Sequence, residues 1–200
     1  MKTQSQILPT TDLVGRCLEF DFPVMRIGVA EYSEGPTGAT VFWFPDRAVA
    51  TIDVRGGAPG FFNLDWLRLG YDFPNLDAIA VSGGSWYGLR AAAGVAAALK
   101  AEEHRSGHWA NLAKVAGAII YDCGTRRVTD YHPDERLGAA VDRDGRLAVG
   151  DQPIPTGETN IGELLAQVPE GIRTVSGTIM GTRSAPKNPG NTTISVVVTN

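Results

Sequence analysis

The first candidate for chemistry in this sequence is Gly190-Asn191-Thr192-Thr193. The run Pro186-Lys187-Asn188-Pro189-Gly190-Asn191 is a turn that delivers Thr192 to the first position of a strand. A β-branched Thr has few χ1 choices, so its hydroxyl is held rigidly there. If the Asn191–Thr192 bond is strained, the hydroxyl attacks the Asn191 carbonyl and gives an ester that water opens. Cleavage frees the α-amine of Thr192, whose reference pKa is about 7.7–8.0. Part of that amine is an unprotonated base near neutral pH, and it activates the hydroxyl of the same residue. The bland alternative at this spacing is a turn leading into a terminal strand. Asn191-Thr192-Thr193 also fits the N-glycosylation acceptor pattern. That reading is set aside because Met1 to Thr11 is polar and lacks the apolar core of a secretory signal.

The second candidate is Ser82-Gly83-Gly84-Ser85-Trp86-Tyr87-Gly88. A strand, a glycine turn and then a helix is the setting of a nucleophile elbow or a phosphate cradle. The elbow needs Gly-x-Ser-x-Gly, and Tyr87 stands where its last Gly should be. The phosphate-loop and dinucleotide patterns fail as well. The bland alternative is a tight strand-to-helix connection. The functional one is a substrate or oxyanion loop at Gly83, Gly84 and Ser85, with free N–H groups at the helix start and the Tyr87 phenol beside them.

The remaining reactive side chains fall to bland readings. His104 and His108 are spaced i, i+4, but Arg105 follows the first where a metalloprotease needs Glu, and Gly107 ends the helix. They read as exposed histidines at a helix end. His132 stands before Pro133 and reads as a turn residue. Cys17 and Cys123 lack zinc-ligand spacing and make no disulfide framework. No metal site is expected, and both thiols are expected to be reduced.

Strands and one helix must position the two candidates. Phe20 to Tyr32 and Thr40 to Phe44 read as partner strands around the turn Glu34-Gly35-Pro36-Thr37-Gly38. Val49 to Val54 is a third strand, and Ala78 to Val81 runs into Ser82. Trp86 to Arg105 is the clearest helix, with an alanine-rich stripe at Leu89, Ala93, Ala96 and Leu99 or Lys100. Leu112 to Tyr121 ends as a strand. Residues 141–149 read as a hairpin around Asp144-Gly145, 150–160 as a polar loop and 161–168 as a short helix. Thr192 to Asn200 is a strand apolar enough to be central. Residues 1–16 are expected to be a loose leader and 17–200 a single domain.

Composition excludes several classes. With 43% hydrophobic and 20% charged residues the chain is an ordinary globular one, well able to bury a core. Its net charge of −4 and scattered basic residues speak against nucleic acid. No apolar run approaches the ~18 residues of a membrane span. These features, with reduced thiols and no signal, place it in the cytoplasm.

The segments taken together carry a further signal. Glu34 to Val41, Val54-Arg55-Gly56-Gly57-Ala58-Pro59-Gly60, Ser82 to Leu99, Ile119 to Asp122 and Gly190 to Asn200 resemble, in order, the L-aminopeptidase/D-esterase (DmpA-like) family. That family includes β-aminopeptidases and the nylon-oligomer (6-aminohexanoate-oligomer) hydrolases, and the Asn-Thr-Thr-Ile-Ser run is most similar to the latter. The resemblance implies an α+β fold, an αββα four-layer sandwich of the N-terminal-nucleophile hydrolase type, here shortened. It implies autocleavage at Asn191–Thr192 within the hydrolase domain and two chains that stay together, commonly in a homotetramer. It implies catalytic Thr192 and Tyr87, a small peptide or amide-oligomer substrate, and no cofactor.

The chain departs from the family pattern in two places. Family members carry a Gly-rich segment with a catalytic Lys and an Asn, whereas here Ala140 runs directly into the hairpin region. They also continue past the strand after the nucleophile, where acidic residues support it, whereas this sequence ends at Asn200. Three readings follow: an amidase or aminopeptidase acting through Thr192, an inactive shortened relative or fragment, and an unrelated serine hydrolase or ligand-binding domain built on Ser85.

Overall fold

The structure, a computed structural model, describes residues 2–11, 15–18, 25–35, 37–55, 60–68, 70, 74–102, 105–120, 130–141, 147–150, 174–180 and 193–199. Its strands are β1 (Gly15–Leu18), β2 (Arg26–Tyr32), β3 (Thr37–Arg55), β4 (Phe61–Phe62), β5 (Asn75–Ser82), β6 (Val115–Ile119), β7 (Leu147–Gly150), β8 (Thr174–Met180) and β9 (Thr193–Thr199). Two α-helices, α1 (Arg90–Glu102) and α2 (Glu135–Ala140), accompany them. A mixed sheet runs β4-β6-β5-β3-β9-β8, with β2 also on β3, and β1 pairs β7 separately. The described architecture is α+β.

The two strands expected at 40–44 and 49–54 are one strand, β3. Its first half lies between β2 and β5, and the register with β5 shifts between Trp43 and Ala48. Arg47 sits in that bulge with φ +62°, held by bonds from its guanidinium to Asp77 and to the Ala110 and Leu112 carbonyls. Past the bulge, Val49 pairs with both Asn75 and Thr199, so β9 takes the side of β3 that β2 occupies earlier.

Chain connectivity shows that β3 is bent. A straight strand from Ala39 to Arg55 would be ~50 Å long. Arg55 lies five residues before Gly60, so their Cα atoms are at most ~19 Å apart. The Gly60 carbonyl accepts from Ile119 N–H, and Ile119 pairs with Ser82. Gly60 is therefore about two strand spacings, ~10 Å, from Ser82. Thr193, the partner of Arg55, comes within ~35 Å of Ser82, which a straight β3 forbids. Ile52 and Val54 accordingly pack on the same apolar cluster as Phe61 and Ile79.

Two apolar clusters cover the sheet. Ile27, Val29, Phe44, Leu76, Ala116 and Ala118 form one with Trp66 and Leu67. Ala30, Tyr32, Val41, Ala78 and Ala80 form the other beneath α1 and α2. Alternation along β2 divides Ile27 and Val29 from Ala30 and Tyr32, as a two-faced strand requires. The helices approach closely because each has a glycine at the crossing. A Cβ on Gly94 would fall 2.1 Å from the Glu135 carbonyl oxygen, and one on Gly138 2.0 Å from that of Ala91.

Several expectations need correction. The α-helix begins at Arg90, because Ser85–Leu89 is a 3-10 turn. Its buried residues are Ala91, Ala92, Val95 and Leu99, so the stripe is rotated from Leu89, Ala93 and Ala96 toward a face shared by sheet and α2. Of the hairpin expected at 141–149, Val141 is the C-cap of α2, Leu147–Gly150 pairs with β1, and residues 142–146 lie outside the described residues. Residues 2–11 lie against the body rather than loose. Ile7 is fully buried, Arg136 donates to the carbonyls of Gln4, Ser5 and Ile7, and Thr10 bridges Glu31. The terminal strand is interior, flanked by β3 and β8. The loop expected at 150–160, the helix at 161–168, His104 and Cys123 lie outside the described residues.

Candidate active site

Ser82 ends β5 and starts the loop. Its hydroxyl donates to the Gly88 carbonyl at 2.7 Å, Gly83 N–H donates to the Gly38 carbonyl at 2.9 Å, and Ile120 N–H donates to the Ser82 carbonyl at 2.7 Å. Gly83 N–H is thus committed to the fold and is not an oxyanion donor. Gly84 has φ +77° and Ser85 φ +53°, the latter a conformation that costs a side-chain-bearing residue roughly 1–3 kcal/mol. A Cβ on Gly84 would stand 2.8 Å from both His132 Cβ and Pro133 Cδ, and one on Gly88 1.7 Å from the Gly83 oxygen. Glycine at 84 is what lets the loop nest against the 132–133 segment, and glycine at 88 lets it close on Gly83. The 3-10 turn then presents Trp86 and Tyr87, 71% and 70% exposed.

His132 is the residue that sequence reasoning passed over. Its ring lies 5.3 Å from that of Tyr87, tilted by 39°. Its Nε2 is buried and has no hydrogen-bond partner. Its backbone is clamped by the Gln4 side chain, which accepts from His132 N–H at 3.2 Å and donates to its carbonyl at 2.9 Å. The available signal was Asp134 three residues before Leu137, an N-cap pattern placing His132 at the entry to a helix. Asp134 does cap α2, accepting from Leu137 N–H at 3.1 Å. Burial alone would raise the Asp134 carboxyl. Hydrogen bonds from Tyr32 Oη at 2.6 Å, Leu137, Arg136 and Gln4 outweigh it and hold the carboxyl at about 2. The same burial, followed by the bond to Asp134, pushes the Tyr32 phenol up. His108 has the bland role expected of it, capping a 3-10 turn by accepting from Ala110 N–H.

Asn191 and Thr192 lie outside the described residues; Thr193 is the first residue of β9. Gly83, Gly84, Ser85 and Tyr87 come together with His132, and no hydrogen bond joins Ser85 to a base among the described residues. The bend of β3 keeps the head of β9 within ~35 Å of this end of β5.

A glycine-locked loop presenting a phenol beside an imidazole, on an α+β frame, has the groups for polar chemistry on a small ligand. The chain belongs to peptidase family S58, whose profile matches residues 20–200. It is 49% identical over 125 residues to the 6-aminohexanoate-oligomer endohydrolase of Paenarthrobacter ureafaciens, covering 62% of this chain and 32% of the relative. It is 44% identical over 136 residues to the enzyme of the same name from a Kocuria species, covering 68% and 36%. An uncharacterized aminopeptidase of Mycobacterium leprae is 34% identical over 176 residues, covering 82% and 44%. The chain thus matches about a third of the length of the two endohydrolases. Among the described residues no helix is long and apolar enough to cross a membrane.

Proposed function

We propose that this chain carries the nucleophile of an amide-bond hydrolase that cleaves itself between Asn191 and Thr192. The freed Thr192 hydroxyl attacks the carbonyl of a linear amide while its α-amine takes the proton. The carbonyl oxygen becomes an oxyanion, the amine leaves with that proton, and water resolves the ester on Thr192. Tyr87 stands at the carbonyl or the departing amine, and the Gly83-Gly84-Ser85 loop shapes the wall beside it. The substrates are short peptides or amide oligomers of the kind named for the endohydrolase relatives. The frame is a four-layer sandwich, a homotetramer working in the cytoplasm.

The observation that carries this reading is the family match, which spans residues 20–200 and so includes both the Tyr87 loop and the Asn191–Thr192 bond. Intact mass after purification tests it. The expected result is a species ending at Asn191 that Thr192→Ala abolishes, with hydrolysis of 6-aminohexanoate oligomers lost in the same variant. An uncleaved, inactive chain selects the inactive relative, and activity lost only in Ser85→Ala selects a serine hydrolase.

A further inference from the structure

An unpaired nitrogen in a well-bonded neighbourhood sets His132 apart. Around it Gln4, Tyr131, Asp134 and Arg136 all have partners: Gln4 bonds the His132 backbone, Tyr131 Oη donates to the Lys2 carbonyl at 2.8 Å, and Asp134 bonds Tyr32 and Arg136. The His132 main chain is therefore fixed from behind. Gly84 packs against its Cβ from the front. Among the described polar groups of this segment, His132 Nε2 is the one that is buried without a bond, an arrangement that is costly when nothing fills it. The side chain packed against the imidazole is Tyr87, a residue 70% exposed.

We propose that His132 is the positioning residue for Tyr87: its Nε2 accepts the phenol hydrogen when the Tyr87 side chain rotates over the imidazole. The phenol oxygen sits at the far end of a ring 5.3 Å from the imidazole, and rotation about χ1 is what moves it, since χ2 turns the ring about the axis on which that oxygen lies. The acceptor is the neutral imidazole with its proton on Nδ1. No covalent step is involved. The bond orients the phenol and leaves an oxygen lone pair available to the group that Tyr87 meets. The clamp by Gln4 makes the N-terminal segment part of the same device. The consequence for rate rests on the reading of Tyr87 as a working phenol, whereas the bond itself does not.

The experiment therefore has two arms. The first measures imidazole 15N resonances of the full chain, which has three histidines. Tyr87→Phe keeps the ring and removes only the hydroxyl, so it is expected to shift the His132 Nε2 resonance and leave those of His104 and His108 in place. An unmoved His132 resonance overturns the proposal, whatever the hydrolase assay shows. The second arm is kinetic. His132→Leu is expected to lower kcat at least tenfold with KM nearly unchanged, and His132→Gln, which keeps an acceptor, to recover most of the rate. Equal rates in both variants, or equal losses, overturn it. Absence of hydrolysis by the parent chain counts against the proposed function and leaves the first arm to decide this one.

Discussion

The two ends of β5 treat polar side chains in opposite ways. At its start, Asp77 is fully buried, with Arg47 Nε at 3.0 Å and Arg105 Nη2 at 2.7 Å on one carboxylate oxygen and Lys114 N–H at 2.7 Å on the other. The Lys114 ammonium sits over the rings of Trp66 and Trp109, at 5.5 and 4.9 Å, and bonds to Asn75. Burial pulls that ammonium below its usual range, Arg47 adds to the effect, and Asp77 opposes it. At the other end, Tyr87 is exposed and His132 Nε2 has no partner. The first end has the charges and a shifted pKa, the usual marks of a site, yet its groups satisfy one another. The second has a charge pair too, Asp134 with Arg136 behind His132, yet it also holds a buried nitrogen left to meet something else. Unsatisfied valence separates the working end from the structural end better than charge does.

The largest effect should come from breaking the structural end. Asp77→Ala leaves Arg47 and Arg105 without their shared carboxylate and the Lys114 N–H without an acceptor. A buried pair broken on one side costs about 3–5 kcal/mol. Urea unfolding is expected to show a loss of that order. A loss below about 1 kcal/mol would mean that the network relaxes into water and that the contrast between the ends is false.

Next comes the loop itself. Gly84→Ala forces a Cβ into His132 and Pro133 at a positive φ. The expected loss is roughly 1–3 kcal/mol, together with changed His132 resonances, because the loop and the 132–133 segment must separate. An unchanged His132 environment would show that the two do not interlock.

How much of this contrast could be seen in the sequence follows from range. The turn near Gly35, the strand before Ser82 and the alanine-rich helix were legible because each depends on neighbours a few residues away. The pairing of β1 with β7 spans more than a hundred residues, and no local pattern announces it. The continuity of β3 was hidden because residues 45–48 fell between two expected strands, whereas the register with β5 shifts there without ending the strand. Arg105 read as a complement to the helix dipole, whereas its guanidinium closes on buried Asp77. His132 read as a turn residue because its significance comes from Gln4 and Gly84, both distant in the chain. At the site, Tyr87 and the glycines could be named from order and type. Which N–H groups the fold uses could not, and Gly83 is the example.

A third, smaller effect separates the ends by pH. The Asp134 carboxyl lies at about 2 in the fold, below its ordinary 3.8. A depressed folded value gives stability that is full above the unfolded pKa and fades as pH falls toward the folded one. Stability should therefore decline between about pH 4 and pH 2, by no more than about 2 kcal/mol. Asp134→Asn should flatten that window in urea titrations at successive pH values. A slope equal in the two proteins would assign the acid sensitivity to other carboxylates.

The smallest effect on stability belongs to Tyr87→Phe, and it is the sharpest probe of the contrast. The ring keeps its contact with His132, and the lost hydroxyl belongs to a residue 70% exposed, so the unfolding midpoint should move by less than about 0.5 kcal/mol. On the proposed function the hydroxyl is what Tyr87 offers the substrate, so hydrolysis should fall by at least tenfold. The pairing of the two numbers is what matters. Trp109→Phe at the other end, where a 55% exposed ring covers Lys114, should leave hydrolysis unchanged while costing about 0.5–1 kcal/mol. If Tyr87→Phe instead destabilises the fold and spares the rate, the phenol is a packing residue. The exposed end of β5 would then be no more functional than the buried one.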